Sequence, residues 1–380
     1  MVFLFIATIL ISFVLSIAAT YFLAKNARKN HKFMPAPKGR DLHSKPIPRV
    51  AGLAMVAVFT VVILVLNYLK PDFFAELGFP FRFWGMDIDK RLLGVLAGGL
   101  VLVFIMAIDD ARGIRAGWKL FWQIVVWSVV VACGIGIIAL NNPFGQTVSL
   151  AHWQSAIQIG GTIYHFVWLA DLLFLIWLIG MMNAVNFVDG VDGLAAGLGI
   201  IGFAVIGALS LFKTGVDQPA VAMLAFVAAA VTAGALVFNF HPAKVFLGDA
   251  GAMWIGYLLA VLSVIYGGKL ATLFLVLAVP IVDGLMVAGG RLLRHQNPLT
   301  TPDQTHIHHR FIRAGFSVRS SVLIIYAISA VYGVVALATE GAVKWMLLGV
   351  LLVLTTVSLI LIGRLKVRHR NVKIKMQNAK

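Results

Sequence analysis

Long apolar runs, separated by short polar segments, dominate the pattern of the chain. The runs show no alternation of apolar and polar residues, so they predict helices rather than the strands of a barrel. A helix needs about 20 mostly apolar residues to cross the hydrocarbon core of a bilayer. The pattern therefore predicts about eleven membrane-spanning helices, near residues 3–23, 49–69, 91–108, 119–140, 165–182, 193–212, 218–238, 252–268, 270–289, 320–338 and 345–363.

The distribution of lysine and arginine orients these spans. No positive charge precedes the first run, and Lys25, Arg28 and Lys29 follow it, which is the reverse of a secretory signal. With the N-terminus outside and the C-terminus in the cytoplasm, 24 of the 31 Lys and Arg residues fall in cytoplasmic segments. This orientation is favoured because positive residues concentrate on the cytoplasmic side of membrane proteins.

Composition points to the same class of protein. Hydrophobic residues make up 61% and charged residues 12% of the chain, whereas about a quarter of a soluble domain is charged. No nucleic-acid-binding motif accompanies the net charge of +16, which suits membrane orientation and an anionic substrate or lipid. We predict one all-α transmembrane catalytic domain over residues 1–380, with a basic cytoplasmic tail at 364–380. The single cysteine excludes an intrachain disulfide.

Glycine-containing segments predict structure more than chemistry. Short apolar alternation about a Gly-Gly pair, in the outer loop 141–164, predicts a small β-hairpin on the outer surface. A G-x-G-x-x-G sequence at 197–202 lies within a span, so a nucleotide-binding fold is not expected. The glycine spacings at 94–98 and 193–197 predict helix packing faces, and glycine-rich outer faces allow a homodimer.

Five polar clusters face the cytoplasm in this topology. The first is Asp109-Asp110, at the inner end of the third span, followed by Lys119 and Gln123. Two adjacent carboxylates repel each other unless a cation joins them. The pair fits a solvated helix end with local arginine partners, or a site where Mg²⁺ or a cationic group binds or a carboxylate acts as a base.

The second cluster, Asn183, Asn186, Asp189 and Asp192, repeats every three residues. On a helix these side chains would share one face, but the glycine after each aspartate indicates an interrupted helix with exposed backbone groups. Asp189 or Asp192 could cap the sixth span, and capping and function could both hold.

The third cluster lies between spans seven and eight and includes Asn239, Phe246 and Asp249. Asp249 is expected at the N-terminus of the eighth span, where a helix cap or a metal-bound pyrophosphate would be favourable. Phe246 could stack on a base or simply pack against its neighbours.

The two remaining clusters are basic. The longest inner loop contains Asp303, His306, His308 and His309, and the histidine spacing does not fit the common zinc motifs. Histidines with arginines such as Arg291 also suit a diphosphate. The loop before the second span is either an ordinary positive flank or a phosphate-binding segment, and it contains Lys45 and Arg49.

Together the clusters supply acids for a divalent metal, basic groups for phosphates and an apolar environment for a lipid. Phosphoryl transfer between a soluble nucleotide and a membrane lipid needs this combination. The motifs, in this order, resemble the polyprenyl-phosphate N-acetylhexosamine-1-phosphate transferases over nearly the whole chain. The segments 109–123, 183–194 and 246–251 are similar to the aspartate-pair, second and metal motifs of that family. The His-x-His-His at 306–309 resembles the N-acetylglucosamine (WecA-like) branch, not the muramoyl-pentapeptide (MraY-like) branch.

The resemblance implies a reaction. A UDP-N-acetylhexosamine, most simply UDP-N-acetylglucosamine, and undecaprenyl phosphate would give undecaprenyl-diphosphate-sugar and UMP, for envelope polysaccharides such as the lipopolysaccharide O-antigen. It also implies Mg²⁺, with Mn²⁺ as a substitute, and a site on the cytoplasmic face of the bacterial inner membrane. Asp249 would be the leading metal ligand, assisted by Asp110. Asp109 or Asp110 would act as base or bind the lipid phosphate.

Substrate contacts also follow from the resemblance. Gly190, Asp192 and Phe246 would hold the uracil, with Phe246 stacking on it, while Asn186 and Asp189 would position the ribose-diphosphate. The remaining contacts to the substrates would come from Lys45, Arg49, Lys119, Asn183, Asn239, Arg291, Asp303, His306, His308 and His309, of which the three histidines are also candidate catalytic residues.

Some alternatives stay open at this point. Ala51, Ala252 and Gln304 depart from the family pattern, and Gln304 lies in the loop that contacts the sugar, so the identity of the sugar is open. One alternative is a phospho-N-acetylmuramoyl-pentapeptide transferase. Another, from a different class, is a transporter of an anionic nucleotide or lipid, but the internal repeats and midplane polar residues of a transporter are not apparent. Direct transfer and a covalent aspartyl intermediate both remain compatible with the residues.

Overall fold

The computed structural model contains two compact units, Met1–Leu273 and Phe274–Lys380. It describes residues 1–30, 33–34, 46–83, 86–137, 139–140, 148–150, 154–159, 162–213, 216–265, 273, 277, 311, 315–347, 349–354 and 356–358. The first unit carries most of the polar clusters predicted from the sequence. In the second unit the longest described helix is preceded by Ser317, whose Oγ accepts a hydrogen bond from the backbone N–H of Ser320 at 3.1 Å.

Apolar helices make up most of the described chain. They are α1 (Val2–Asn30), α2 (Ala51–Leu69), α3 (Pro71–Ala75), α4 (Lys90–Arg112), α5 (Ala116–Ala132), α6 (Trp168–Val188), α7 (Leu194–Phe212), α8 (Pro219–Asn239), α9 (Gly248–Val264) and α10 (Val318–Ala338). A further apolar helix, Gly341–Ser358, follows α10. Within the described residues, eight helices are long and apolar enough to cross a membrane, and α5 and α9 are shorter apolar helices. The chain is therefore a helical, multi-pass membrane protein.

Each predicted span corresponds to one of these helices, except the span at 270–289, which lies outside the described residues. Three boundaries differ in ways that matter for the site. Helix α5 ends at Ala132 rather than near residue 140, because Gly134 has a φ of 79° and turns the chain out of the helix. Helix α6 continues to Val188 and therefore includes Asn183. Helix α9 begins at Gly248 and therefore includes Asp249 in its first turn.

Helix α9 lies at the centre of the first unit. All of its residues from Ala250 to Val264 are buried, which is typical of a helix surrounded by other helices. Close packing depends on small residues: a Cβ on Gly256 would lie 2.5 Å from the carbonyl oxygen of Met181 in α6. On another side, the hydroxyl of Tyr257 donates to the carbonyl of Val95 in α4 at 3.0 Å.

The predicted packing role is confirmed at Gly94 but not at Gly193, which has a φ of 79° and precedes α7 as its N-cap residue. A Cβ on Gly94 would lie 2.5 Å from Cβ of Cys133, which follows α5. The G-x-G-x-x-G sequence is part of α7, where Gly199 and Gly202 lie against Ile255 and Leu259 of α9. Its glycines therefore allow helices to approach closely and do not form a nucleotide-binding loop.

In the described part of the chain, three two-stranded antiparallel sheets lie between the helices: β1 (Pro80–Phe83) with β2 (Met86–Asp89), β3 (Ala139–Leu140) with β4 (Val148–Ser149), and β5 (Gln154–Ile159) with β6 (Thr162–Val167). The predicted hairpin is confirmed as the β5–β6 pair, with strands longer than the sequence indicates. The other two pairs were not predicted. Strand β6 leads directly into α6, so this hairpin lies at the end of α6 opposite Asp189.

Two buried charged side chains, of Asp89 and Arg91, fix the start of α4 at the same end as the hairpin. Asp89 caps α4 by accepting hydrogen bonds from the backbone N–H groups of Arg91 and Leu92 at 2.7 and 3.4 Å. The guanidinium of Arg91 donates to the carbonyls of Leu77 and Gly134, both at 3.1 Å. Arg91, which the charge pattern placed in an outer loop, is therefore a buried structural residue.

Candidate active site

In the first unit, the described segments that the charge pattern places on the inner side meet at one end of the helices. Asp110, in the last turn of α4, contacts the first turn of α9. Lys119 of α5 contacts Asp249 of α9. Arg49, just before α2, lies with Nη1 3.8 Å from Oδ1 of Asp110. These helix ends therefore share one side of the bundle, as the alternation of predicted spans requires.

Asp110 stabilises the N-terminus of α9. Its Oδ1 accepts a hydrogen bond from the backbone N–H of Asp249 at 2.9 Å, and Oδ2 accepts one from Ala250 at 3.1 Å. The first N–H groups of a helix lack partners within the helix and carry partial positive charge, so a carboxylate is favourable there. Gly248 allows this approach, because its φ is 73° and a Cβ at this position would overlap the carboxylate.

Lys119 joins carboxylates from two other helices. Its Nζ forms ion pairs with Asp109 of α4 and with Asp249 of α9, the latter at 2.6 Å. Asp109 also accepts a hydrogen bond from the backbone N–H of Ile114 at 2.5 Å. Asp109 and Asp110 are only 9% and 4% exposed. The interpretation of this pair as a solvated helix end is therefore wrong, and the main cation at Asp109 is a lysine of the next helix.

Among the described residues, carboxylates outnumber cationic side chains at the site. Four carboxylates and two cations interact here, those of Asp109, Asp110, Asp189, Asp249, Arg49 and Lys119. Burial raises the pKa of Asp189 well above its usual range, and the nearby carboxylates of Asp249 and Asp110 raise it further. An additional cation would relieve this repulsion between the carboxylates.

The turn between α6 and α7, residues 189–193, binds the segment that joins α8 to α9. We call that segment, residues 239–247, the arch. Oδ2 of Asp192 lies 2.8 Å from Nδ1 of His241 and accepts a hydrogen bond from the backbone N–H of Ala243 at 3.0 Å. Asp192 is 7% exposed, so these hydrogen bonds replace the water that its carboxylate loses on burial.

Asn239 makes a second connection between the turn and the arch. Its Oδ1 accepts a hydrogen bond from the backbone N–H of Gly193 at 3.2 Å, and its Nδ2 donates to the carbonyl of Val245 at 3.1 Å. Asn239 is only 1% exposed. Its side chain therefore holds these two backbone groups, of Gly193 and Val245, in place. Its direct contact with substrate stays a prediction.

The predicted capping of helices by these aspartates is wrong. Gly193, with a φ of 79°, is the N-cap residue of α7, and no side chain caps that helix. Asp192 is instead bonded to the arch. The N-cap residue of α9 is Leu247, again without a side-chain cap, so Asp249 lies inside the helix with its carboxylate on Lys119.

The far end of the arch pairs with the backbone that begins α2. The N–H of Phe246 donates to the carbonyl of Pro48 at 2.8 Å, and the carbonyl of Phe246 accepts from Ala51 at 3.2 Å. The next residue continues this pairing, because the N–H of Gly52 donates to the carbonyl of Leu247 at 3.1 Å. A Cβ on Gly52 would overlap the backbone of α9. The departure from the family pattern at position 51 is therefore tolerated, because the close contact falls on Gly52.

One helical turn from the charged groups, amide side chains connect α5, α6 and α9. Oε1 of Gln123 accepts a hydrogen bond from Nδ2 of Asn183 at 3.2 Å, and Nε2 of Gln123 lies 3.6 Å from Sδ of Met253. Gln123 follows Lys119 by four residues, and Met253 follows Asp249 by four, so each pair shares a helix face. The amides thus support the helices that carry the ion pairs.

The remaining predicted residues divide into two groups. Asn186 and Phe246 are half-buried and Gly190 is exposed, all within the turn, the arch or the adjoining last turn of α6. The other candidates lie outside the described residues: Lys45, Arg291, Asp303, His306, His308 and His309.

Known proteins resemble this chain over most of its length. The sequence profile described as "Glycosyl transferase family 4" matches residues 92–267. The decaprenyl-phosphate N-acetylglucosaminephosphotransferase of Mycolicibacterium smegmatis is 34% identical over 320 residues, which cover 76% of this chain and 71% of that protein. The chain belongs to glycosyl transferase family 4. The profile spans nearly all of α4 through α9, the helices that carry the ion pairs at Lys119.

Other family members are similar over a larger share of the chain. A probable undecaprenyl-phosphate N-acetylglucosaminyl 1-phosphate transferase of Bacillus subtilis is 29% identical over 324 residues, covering 84% of this chain and 80% of that protein. The undecaprenyl-phosphate alpha-N-acetylglucosaminyl 1-phosphate transferase of Escherichia coli K12 is 29% identical over 360 residues, covering 90% and 87%. The family predicted from the motifs is thus confirmed.

The Mg²⁺ expected from the family resemblance fits Asp249 better than Asp110. The side chain of Asp249 is 23% exposed and that of Asp110 is 1% exposed. Within the described parts of the chain, no three acidic, histidine or cysteine side chains are arranged around a common metal position. Mg²⁺ commonly binds one or two protein carboxylates together with substrate phosphates and water. The donor set fits that pattern, and a metal-binding role for Asp110 stays a prediction.

Several residues hold the site together in roles that were not predicted for them. His241, Gln123 and Gly248 were present in the polar clusters, but their partners are distant in sequence, as with His241 and Asp192. Arg28 was counted only as a positive flank, yet its Nη2 donates to the carbonyl of Lys244 in the arch at 2.8 Å. A histidine or glutamine beside an apolar run was the available signal, and it does not specify a partner.

Proposed function

We propose that this protein transfers N-acetylglucosamine-1-phosphate from UDP-N-acetylglucosamine to a polyprenyl phosphate, most simply undecaprenyl phosphate. An oxygen of the lipid phosphate forms a bond to the β-phosphorus of the nucleotide sugar. The bond between that phosphorus and the bridging oxygen breaks, and UMP leaves with the electron pair. The relatives in Bacillus subtilis and Escherichia coli are named for undecaprenyl phosphate and N-acetylglucosaminyl 1-phosphate, which supports this choice of substrates.

The main structural support for this proposal is a layer of ion pairs at the ends of three apolar helices. It consists of Asp109, Lys119 and Asp249. In this proposal the lipid phosphate reaches this layer from the bilayer, and the nucleotide reaches it from water. Lys119 and Arg49 supply positive charge for phosphate oxygens, and Asp109 or Asp110 is available to accept a proton or to face the acceptor phosphate. Phosphoryl transfer depends mainly on such positioning and charge.

The turn and the arch would bind the donor. In this proposal Asp192, Gly190 and Phe246 hold the uracil, and Asp189 and Asn186 lie on the ribose-diphosphate side. The bonds between Asp192 and the arch support the arrangement, because they keep the segment with Phe246 next to the turn with Gly190. The candidate contacts from Lys45 and from the histidine loop at 306–309 are carried over from the family motif alone.

Mg²⁺ would bind to Asp249 and to oxygens of the donor diphosphate, where it would neutralise charge on the transferring group. Lys119 already holds Asp249 in place, so this carboxylate needs little rearrangement to act as a ligand. Among the described residues of the site carboxylates outnumber cationic side chains, which favours such an ion.

We place the site on the cytoplasmic side of a bacterial plasma membrane, with eleven spans and the N-terminus outside. The support is the concentration of Lys and Arg in the segments that meet at the site. UDP-sugars are cytoplasmic substrates, so the orientation agrees with the reaction. The product would serve as the lipid-linked first unit of an envelope polysaccharide, such as the O-antigen.

The deciding experiment is UMP release by the purified protein. Undecaprenyl phosphate and Mg²⁺ are supplied with UDP-N-acetylglucosamine, with UDP-N-acetylgalactosamine or with UDP-N-acetylmuramoyl-pentapeptide. We expect UMP and a lipid-linked sugar with UDP-N-acetylglucosamine, and loss of both on adding EDTA or omitting the lipid. Release with the muramoyl-pentapeptide donor alone would assign the protein to the other branch. No UMP with any donor would favour a transporter over an enzyme.

A further inference from the structure

The arch is held separately at its two ends, and between them it also bonds to Arg28 of α1. Near α9 it pairs with the backbone that begins α2. Its last residues lead into α9, whose N-terminus is held by Asp110 through two backbone bonds and by Lys119 through Asp249. Its first residues bond to the turn between α6 and α7, through His241 to Asp192 and through Asn239 to the backbone N–H of Gly193. The attachment at α9 does not involve the turn between α6 and α7. Loss of the bonds between the arch and this turn should therefore leave Asp249 in place.

His241 is central to the attachment at the turn. Its Nδ1 and the backbone N–H of Ala243 share one oxygen of Asp192. The carboxylate of Asp192 is nearly buried, whereas the side chain of His241 is 34% exposed. A hydrogen bond to a buried charge contributes more than one between neutral groups, because the charge has lost its water. His241 therefore fixes the direction of the carboxylate as well as the path of the arch.

We infer that His241 is a positioning residue for the nucleotide-binding side of the active site, an inference that rests on the proposed function. By orienting Asp192, it keeps the turn that contains Gly190 and the arch that contains Phe246 in a fixed relation. It acts on donor binding and not on the bond-breaking step, because Asp249 and Lys119 are held by other contacts.

A pair of amide substitutions tests this geometry. In His241→Asn the side-chain N–H lies near the position of Nδ1, whereas in His241→Gln it lies one methylene further, near the position of Nε2. The first should keep the bond to Asp192 and the second should lose it, with similar polarity in both. Lys244→Ala is the matched control within the arch, because the side chain of Lys244 is exposed and the bonds to Phe238 and Arg28 are made by its backbone, which alanine keeps.

The measurements are kcat and KM for UDP-N-acetylglucosamine, from UMP release at saturating undecaprenyl phosphate and Mg²⁺, together with the melting temperature of each variant. We expect H241Q to raise KM about tenfold, the effect of losing one charge-assisted hydrogen bond, with kcat within about twofold. H241N and K244A should have a KM close to that of the unaltered protein. A merely structural role would lower the melting temperature of H241Q without this selective change in KM.

Two results would overturn the inference. One is an unchanged KM in H241Q, or a loss confined to kcat. The other is an equal increase of KM in H241N and H241Q, which would make the position of the N–H irrelevant. If the unaltered protein releases no UMP, the proposed function fails, and calorimetric binding of UDP-N-acetylglucosamine to the same three variants still decides whether His241 positions the donor site.

Discussion

Asp110 and Lys119 hold the first turn of α9 by different contacts. Asp110 binds the backbone N–H groups of Asp249 and Ala250, and Lys119 binds the side chain of Asp249. Asp249 is thus fixed at both its backbone and its carboxylate, while part of that carboxylate remains exposed. A fixed, partly exposed carboxylate suits a metal ligand, because little side-chain freedom is lost on binding.

Asp249→Asn should lower Mg²⁺-dependent transfer about a hundredfold or more while the protein still folds. The amide keeps the size of the carboxylate but loses the charge that would bind the metal, and Lys119 retains Asp109 as a partner. UMP release over a range of Mg²⁺ concentrations measures the effect. Asp87→Asn is the control, because this exposed aspartate lies in β2, at the other end of α4. Normal turnover in D249N would remove Asp249 as the metal ligand.

Gly248→Ala should lower both stability and activity. The residue has a φ of 73°, which costs alanine about 1–2 kcal/mol, and its Cβ would displace the carboxylate of Asp110 from α9. The melting temperature and kcat are the measurements.

Gly113→Ala separates these two causes. Gly113 has a similar φ of 76°, but no atom lies within 4 Å of the position of its Cβ. It should therefore show the backbone cost alone and keep most of its activity. Equal losses in G113A and G248A would mean that the contact between Asp110 and α9 contributes little.

At the scale of helices, α5 uses one face for the site and the other for the membrane. Gln123, Val126 and Val130 are buried on one face. Trp118 and Phe121 are 58% and 48% exposed at the start of the helix, next to Lys119 in sequence. The sequence predicted a span here, but not which face would carry the polar contacts, because that depends on where α4, α6 and α9 lie.

Gln123→Leu should destabilise the protein by about 0.6 kcal/mol, the average for a hydrogen bond between membrane helices. The variant loses the bond to Asn183 between α5 and α6, while Asn183 keeps its bond to the carbonyl of Ile179. Thermal or denaturant unfolding in detergent measures the change. Ser128→Ala is the control on the same helix, because Ser128 is exposed and bonds only within α5. Additive effects of Q123L and Asn183→Leu in the double variant would contradict a direct coupling.

At the scale of the whole molecule, the inner segments converge because their helices alternate in direction. The ends of α1, α4, α6 and α8 and the starts of α2, α5, α7 and α9 lie together around the site. The alternating direction of the predicted spans and the bias of Lys and Arg toward one side thus predicted that polar clusters distant in sequence lie on the same side.

Labelling of single cysteines should establish on which side of the membrane the site lies. In a Cys133→Ser background, Gln154→Cys lies on an exposed position of the β5–β6 hairpin, and Arg115→Cys lies on an exposed position between α4 and α5. A membrane-impermeant maleimide should label Q154C in intact bacterial cells and R115C only after the membrane is opened. The reverse pattern would contradict the proposed orientation.

The amino-acid sequence by itself determined the class of protein, the described spans, the β5–β6 hairpin, the family and the grouping of polar clusters on one side. These features depend on local hydrophobicity, on charge bias and on residues close together in the chain, all of which can be read without coordinates. The sequence also predicted the break after α6 and the place of Asp249 at the start of α9, because glycine and aspartate there interrupt apolar runs.

Only the tertiary structure decided which polar groups are partners. Asp109 and Asp249 share Lys119 although they are 140 residues apart, and Asp192 pairs with His241 rather than with the helix that it precedes. A carboxylate near a helix end has several favourable partners of similar energy, namely backbone N–H groups, a lysine, a histidine or a metal. Packing of the helices selects among them, because it fixes distances that no local pattern contains.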